Sequence, residues 1–283
     1  MVLRYGEDFV DLTKGDAVIR LGYAQEIYLG DCLNSFEYYF SAVKPIKFNG
    51  RRLADFSTPR FHKVVGFDEF PILFPSIPEP YATLDQYLAF ANLGPGNVVF
   101  DLGVYAGLTS IVFSRLVGSE GAVFGFEADR TNFATALENF ETARCFGAPQ
   151  NTTLTPKAVW CHSDGLDFSV EGAMGSGAAS IVGAGRGTVV HVPTTTLPAF
   201  CGEHDIERID FIKMDIEGAE VEVLESSGEL LSRTRPRLII EPHYVAGVLT
   251  TDRCCSILGK LGYATKIVDQ YGVSLPLIEA MPN

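Results

Sequence analysis

The chain has 283 residues, 47% hydrophobic and 20% charged, which fits a soluble globular fold with one large core or a core plus a smaller accessory region. Its formal net charge of −13 repels polyanions, which excludes nucleic acid and anionic membrane as default partners. No apolar run approaches the length of a membrane span, so none is expected.

From the N-terminus, residues 1–78 are dense in aromatics and turn signals. The start, Met1-Val2-Leu3-Arg4-Tyr5-Gly6-Glu7-Asp8, is too polar for the apolar region of a secretory leader. Asp16 to Gly22 and Glu26 to Gly30 read as short strands around a turn. Asp31 to Val43 reads as a helix capped near Asp31. Lys44 to Phe48 and His62 to Phe67 read as further strand, and Pro71, Pro75, Pro78 and Pro80 punctuate the exit. This part is expected to be an α+β cap or an oligomerisation arm, which leaves a homo-oligomer open. Residues 79–283 are expected to form the main domain.

That domain alternates helix and strand, the mark of a doubly wound α/β fold. Tyr81 to Leu93 reads as helix, ended by Gly94-Pro95-Gly96. The first strand is Val98 to Leu102, followed by a helix from about Leu108 to Val117. The second strand, Ala122 to Phe126, leads into a helix from Thr131 to Phe146, and a third strand lies near Thr152 to Trp160. A glycine-rich tract from Gly172 to Gly187 reads as a mobile surface loop or a loose hairpin, or as a lid over the site. The fourth strand is Ile209 to Met214, with a helix from Ala219 to Leu231. The fifth is Arg237 to Ile240. After a helix from Asp252 to Leu261, Ala264 to Val268 and Val273 to Ile278 are expected to close the sheet edge as an antiparallel pair. The six cysteines, Cys32, Cys145, Cys161, Cys201, Cys254 and Cys255, form no CxxC pair and sit in apolar stretches. Reduced thiols and a cytoplasmic setting are the simplest expectation.

The chemistry concentrates at strand ends. The first strand runs into Asp101-Leu102-Gly103-Val104-Tyr105-Ala106-Gly107, and the second ends on Glu127. Glycines let a backbone approach a ligand closely, and an acid at the next strand end can accept both hydroxyls of a ribose. The dinucleotide fingerprint Gly-x-Gly-x-x-Gly is absent. A carboxylate at Asp101, before the first glycine, would repel a pyrophosphate and attract a cation. S-adenosylmethionine, with a sulfonium and a ribose diol, fits both features better than NAD. Asp215, Glu241 and His243 lie at the ends of the fourth and fifth strands, where open α/β sheets bind their ligands. His243 is the natural general base, with Glu241 and Lys213 behind it. Asp215, Glu241 and His243 also make an O/O/N ligand set suited to Mg²⁺ or another divalent cation. Base and metal ligand both stay open at this point.

These residues resemble the FkbM-type methyltransferases over about Glu79 to His243. The marks are Val99 to Gly107, Phe126-Glu127-Ala128-Asp129 with Leu137-Glu138-Asn139, Ala158-Val159 with Ser163-Asp164-Gly165, and the threonines before Leu197. The most specific are Ile209 to Glu220 and Pro236 to Glu241. Gly103-Val104-Tyr105 stands where the family usually has Gly-Ala-Asn, and Ala128 where it usually has proline. The resemblance implies a Rossmann-like methyltransferase sheet and methyl transfer from S-adenosylmethionine, commonly to a hydroxyl of a sugar or secondary metabolite. It extends the cofactor contacts from Asp101, Gly103, Gly107 and Glu127 to Glu79, Tyr105, Thr109, Ala128, Ser163, Asp164 and Asp215. A small-molecule or saccharide acceptor follows.

Two rival classes remain. A NAD-dependent oxidoreductase is disfavoured by Asp101 ahead of the turn. A non-catalytic binding protein on the same fold is disfavoured by the intact Asp215, Glu217, Glu241 and His243.

Overall fold

Runs that are apolar at every position need cover on both faces. In Val98–Leu102 and Phe211–Met214 nearly every residue is buried. In the register that pairs these two strands, Phe100 lies beside Ile212 and Val99 beside Phe211. Phe100 packs edge-on against Phe200 at 6.0 Å between ring centroids, while Phe211 meets Phe113 at 5.7 Å. Neighbouring residues along one strand therefore point into different cores.

In this computed structural model, which describes residues 1–170, 176–178 and 188–283, the chain divides into two units. One comprises Met1–Gln86 and Tyr271–Ser274, the other Tyr87–Gln270 and Leu275–Asn283. No helix among the described residues is long and apolar enough to cross a membrane. All six cysteines are free thiols.

The larger unit is built on a seven-stranded sheet. Its spatial order is Thr152–Thr155, Ala122–Phe126, Val98–Leu102, Phe211–Met214, Arg237–Ile240, Pro276–Pro282 and Tyr263–Asp269. The first five are parallel and the last two close the edge antiparallel. This is the Rossmann-like methyltransferase sheet expected from sequence. From Val98–Leu102 the chain builds to one side; it resumes on the other side at Phe211–Met214. The order reverses between these two strands, and their carboxyl ends open the crevice where such sheets bind ligands.

Several elements differ from the sequence expectation for local reasons. The third strand stops at Thr155 because Pro156 has no N–H for the ladder. The chain then pairs Ala158–Val159 with Thr194–Thr195, outside the main sheet. The helix expected from Ala219 to Leu231 breaks at buried Ser227 (φ −106°, ψ 9°) into Glu220–Ser226 and Gly228–Thr234. The glycine-rich tract lies outside the described residues except for Ser176, Gly177 and Ala178. There Gly177–Ala178 joins Leu166–Val170 and Thr188–Val192 in a small antiparallel sheet.

The smaller unit holds a five-stranded sheet in the order Val2–Tyr5, Phe9–Lys14, Ala17–Gly22, Arg51–Asp55, Ile46–Phe48. Glu26 to Gly30 is not strand. A 3₁₀ turn covers Tyr23–Tyr28, and helix Leu29–Asn34 follows. The expected helix from Asp31 to Val43 is interrupted at Ser35 (φ −120°, ψ 43°), and Phe36–Phe40 restarts as a separate short helix. Phe36, Tyr38, Tyr39 and Phe40 are all buried, so packing of these rings outweighs helical continuity.

One glycine is fixed by the fold. Gly103 has φ +84°, and a Cβ there would lie 1.8 Å from the Asp215 carbonyl oxygen. Gly103→Ala should cost about 3 kcal/mol or more. Gly30→Ala, where nothing lies within 4 Å of the added carbon in a helical position, should be neutral or stabilising by up to about 1 kcal/mol. Thermal melts check both, and an unchanged melting temperature for Gly103→Ala would contradict this packing.

Candidate active site

The glycine turn makes a series of left-handed residues: Gly103 (φ 84°), Tyr105 (φ 52°) and Gly107 (φ 86°). Tyr105 adopts a conformation that L side chains resist, and the turn uses it to aim an amide. The Tyr105 N–H donates to Glu127 Oε2 at 2.9 Å, and the Asp129 N–H donates to Oε1 at 2.8 Å. The Glu127 carboxylate is thus gripped by one amide on each oxygen, and each oxygen keeps a further lone pair. Burial pushes its pKa up to about 8 against the pull of these amides. Buried Asn139 donates to the Ala106 carbonyl at 2.8 Å, which ties the turn to helix Arg130–Cys145. Gly107 packs on that same helix; a Cβ there would lie 2.7 Å from the Phe140 ring. Asp129 caps the helix through the Thr131 and Asn132 amides and accepts from Ser176 Oγ at 2.7 Å.

Below the turn lies a row of charges. Asp101 and Lys213 are register partners on adjacent strands. Lys213 Nζ donates to the Gly103 carbonyl at 2.6 Å and stands 3.5 Å from Asp101 Oδ1 and 3.6 Å from Asp215 Oδ2. Asp101 is fully buried and accepts from Ser110 Oγ at 2.5 Å. Burial raises its pKa, and Lys213 and Ser110 oppose that shift. The Lys213 side chain is only 3% exposed. It ties the first turn to the fourth strand end.

The ends of the fourth and fifth strands bring a second group together. One ligand atom each of Asp215, Glu241 and His243 lie within 4.8 Å of one another. His243 Nδ1 meets Glu220 Oε1 at 2.9 Å, and Nε2 faces Asp215 Oδ1 at 3.6 Å and Glu217 Oε1 at 3.8 Å. Fully buried Glu220 also accepts the Gly218 N–H at 3.0 Å. Nδ1 is directed at Glu220 and Nε2 at the cluster, where it would ligate a cation by giving up its proton. Burial lowers the His243 pKa, but Glu217, Glu220 and Asp215 outweigh it and hold the ring well above the usual histidine range. Glu241 Oε2 accepts from Gln270 Nε2 at 3.2 Å and from the Tyr87 hydroxyl at 3.4 Å. The donor set of two carboxylates and an oriented imidazole fits a hard divalent cation.

The remaining residues expected from sequence are spread more widely. Thr109 is buried in the first turn of helix Leu108–Val117. Ala128 lies between Glu127 and Asp129, in the segment that delivers the Asp129 amide. Ser163 and Asp164 sit on an exposed loop after Val159, with the Asp164 side chain 93% exposed. Glu79 belongs to the smaller unit. Sequence reasoning gave no role to Glu220, Gln270, Tyr87 or Ser110. Only Glu220 carries a signal: it is an acid at the start of the helix Glu220–Ser226, three residues after Glu217.

Comparison with known proteins adds the following. The family described as methyltransferase FkbM domain matches residues 101–264. Methyltransferase FkbM from Methylobacillus flagellatus KT has a similar structure, with a TM-score of 0.50 and 17% identity over 71% of this chain and 48% of that one. The chain therefore spans about half the length of that protein. Precorrin-6y C5,15-methyltransferase from Geobacter metallireducens GS-15 gives a TM-score of 0.45 and 15% identity, covering 73% of this chain and 90% of that one. A SAM-dependent methyltransferase from Aquifex aeolicus gives 0.44 and 16%, covering 73% and 94%. No curated protein matches the chain. The matched segment takes in more than half of the chain and contains the glycine turn, Glu127, Asp215, Glu241 and His243, so the chain belongs to the FkbM methyltransferase domain family.

Proposed function

We propose that this protein is an S-adenosylmethionine-dependent methyltransferase acting on a hydroxyl of a sugar or secondary metabolite. The observation that carries the cofactor assignment is Glu127, held at the second strand end by the amides of Tyr105 and Asp129, with lone pairs left for a ribose diol. S-adenosylmethionine supplies an electrophilic methyl on a sulfonium. The chain's part is to hold the acceptor oxygen close and in line, from which much of the rate acceleration comes. Asp215, Glu241 and His243 would hold a divalent cation, with Glu220 orienting His243; the approach of their ligand atoms to within 4.8 Å of one another supports this reading. Such a cation would lower the pKa of a poorly nucleophilic hydroxyl and fix its position. This convergence favours His243 as a ligand over His243 as a base. The segment 1–78 serves as a cap or an oligomerisation arm. Exposed Val2, Leu3 and Tyr5 on one edge strand of its sheet, with Ile46 and Phe48 on the other, support a role in covering or contact.

Adenosine carries the ribose diol without the amino-acid arm, so it isolates Glu127. Ribose hydroxyls donate, so they favour the ionised carboxylate. The group's pKa of about 8 then makes adenosine affinity rise by about tenfold per pH unit from pH 6 towards 8 and level off above it. Glu127→Gln should flatten this profile and weaken binding about tenfold or more. Calorimetry checks both. A pH-independent affinity, or binding of NAD with S-adenosylmethionine ignored, would overturn the cofactor assignment.

With labelled S-adenosylmethionine and a fractionated extract, the label should appear as a methyl ether. Recovery on nitrogen or carbon would contradict oxygen as the acceptor. His243→Ala and Asp215→Ala should each cut that transfer by about a hundredfold, with cofactor affinity changed much less in His243→Ala. EDTA should abolish transfer and Mg²⁺ or Mn²⁺ restore it. Full activity in EDTA would reject the cation and return His243 to the role of base.

A further inference from the structure

Gln270 closes the edge strand Tyr263–Asp269 and is buried. Its amide has two ends with different fates. Nε2 donates to Glu241 Oε2 at 3.2 Å, whereas Oε1 is buried and has no hydrogen-bond donor among the described residues. A glutamine that served only the fold would use both ends, because a buried carbonyl without a donor costs about 1–3 kcal/mol. Turning the amide over would not help. It would set Oε1 against the Glu241 carboxylate and take away a donor that this half-buried acid receives. The orientation is therefore dictated by Glu241. The Tyr87 hydroxyl approaches the same oxygen at the longer distance of 3.4 Å, so Gln270 makes the tighter contact of the two.

Glu241 is one of the three residues whose ligand atoms converge. Its fellow ligand His243 already has such a support in Glu220. We propose that Gln270 is a positioning residue for Glu241, holding one carboxylate oxygen so that the group stays turned towards Asp215 and His243, as Glu220 does for the imidazole. The inference rests on the cation site proposed above. Outer partners of this kind commonly change metal affinity by about tenfold to a hundredfold when removed. Gln270 and Glu220 then support the site from two different elements, a strand end and a helix start, and neither touches the cation itself.

The test is a titration of the full-length protein with Mn²⁺ alone, followed by the paramagnetic resonance of the free ion. It uses the unmodified protein, Gln270→Met, Glu241→Gln and the double variant. Gln270→Met keeps the volume and removes the donor, and Gln270→Asn withdraws the donor by one methylene if the methionine variant does not fold. The expected result is a single site in the unmodified protein and about tenfold weaker binding in Gln270→Met at an unchanged melting temperature. The double variant should bind no more weakly than Glu241→Gln alone, since Gln270 acts only through Glu241. Equal affinity in Gln270→Met, or losses that multiply in the double variant, would overturn the positioning role while leaving the cation site standing. No Mn²⁺ binding by the unmodified protein would overturn the cation site, and the positioning role with it.

Discussion

The buried ammonium of Lys213 is the contact on which the rest of the site depends. It is set where the strand order reverses, and it binds the Gly103 carbonyl while facing Asp101 on one side and Asp215 on the other. A lone charge at that depth would be prohibitive, and two carboxylates beside each other without it would be worse. The cation lets an acid stand at the end of each of two adjacent strands. It also fixes the turn after Gly103 relative to the fourth strand end, in a space so tight that no side chain fits at Gly103. The turn then delivers the Tyr105 amide to Glu127.

From this tie the crevice divides into two chemistries. On the side of the second strand, Glu127 accepts from two backbone amides, one on each carboxylate oxygen. On the side of the fifth strand, Asp215, Glu217, Glu220 and Glu241 surround one imidazole. The first is built from backbone donors, which Tyr105 and Asp129 supply whatever their side chains. The second is built from side chains that hold one another, His243 by Glu220 and Glu241 by Gln270. In the proposed function the first would orient the methyl donor and the second would orient and activate the acceptor.

Much of this was legible in the sequence. Alternating helix and strand pointed to the doubly wound sheet, and the strand-end positions of Asp215, Glu241 and His243 pointed to their convergence. The antiparallel closing pair was also legible, though its second strand begins at Pro276 instead of Val273. What could not be read depends on register and depth. Lys213 reads as a candidate base from sequence, and only its pairing with Asp101 reveals it as a buried counter-ion. Gln270 is 29 residues from Glu241, so no local pattern links them. Ser226-Ser227-Gly228 is a run of weak helix formers, and the helix breaks there at buried Ser227. Pro156 is the exception: it stood in the sequence as a strand terminator and accounts for the short third strand.

The most direct measurement is a crystal structure of the protein grown with S-adenosylhomocysteine. The account predicts both ribose hydroxyls within hydrogen-bond distance of the Glu127 carboxylate, while the Tyr105 and Asp129 amides keep their hold on it. A nucleoside bound elsewhere, or a Glu127 that turns away from the ribose, would contradict it.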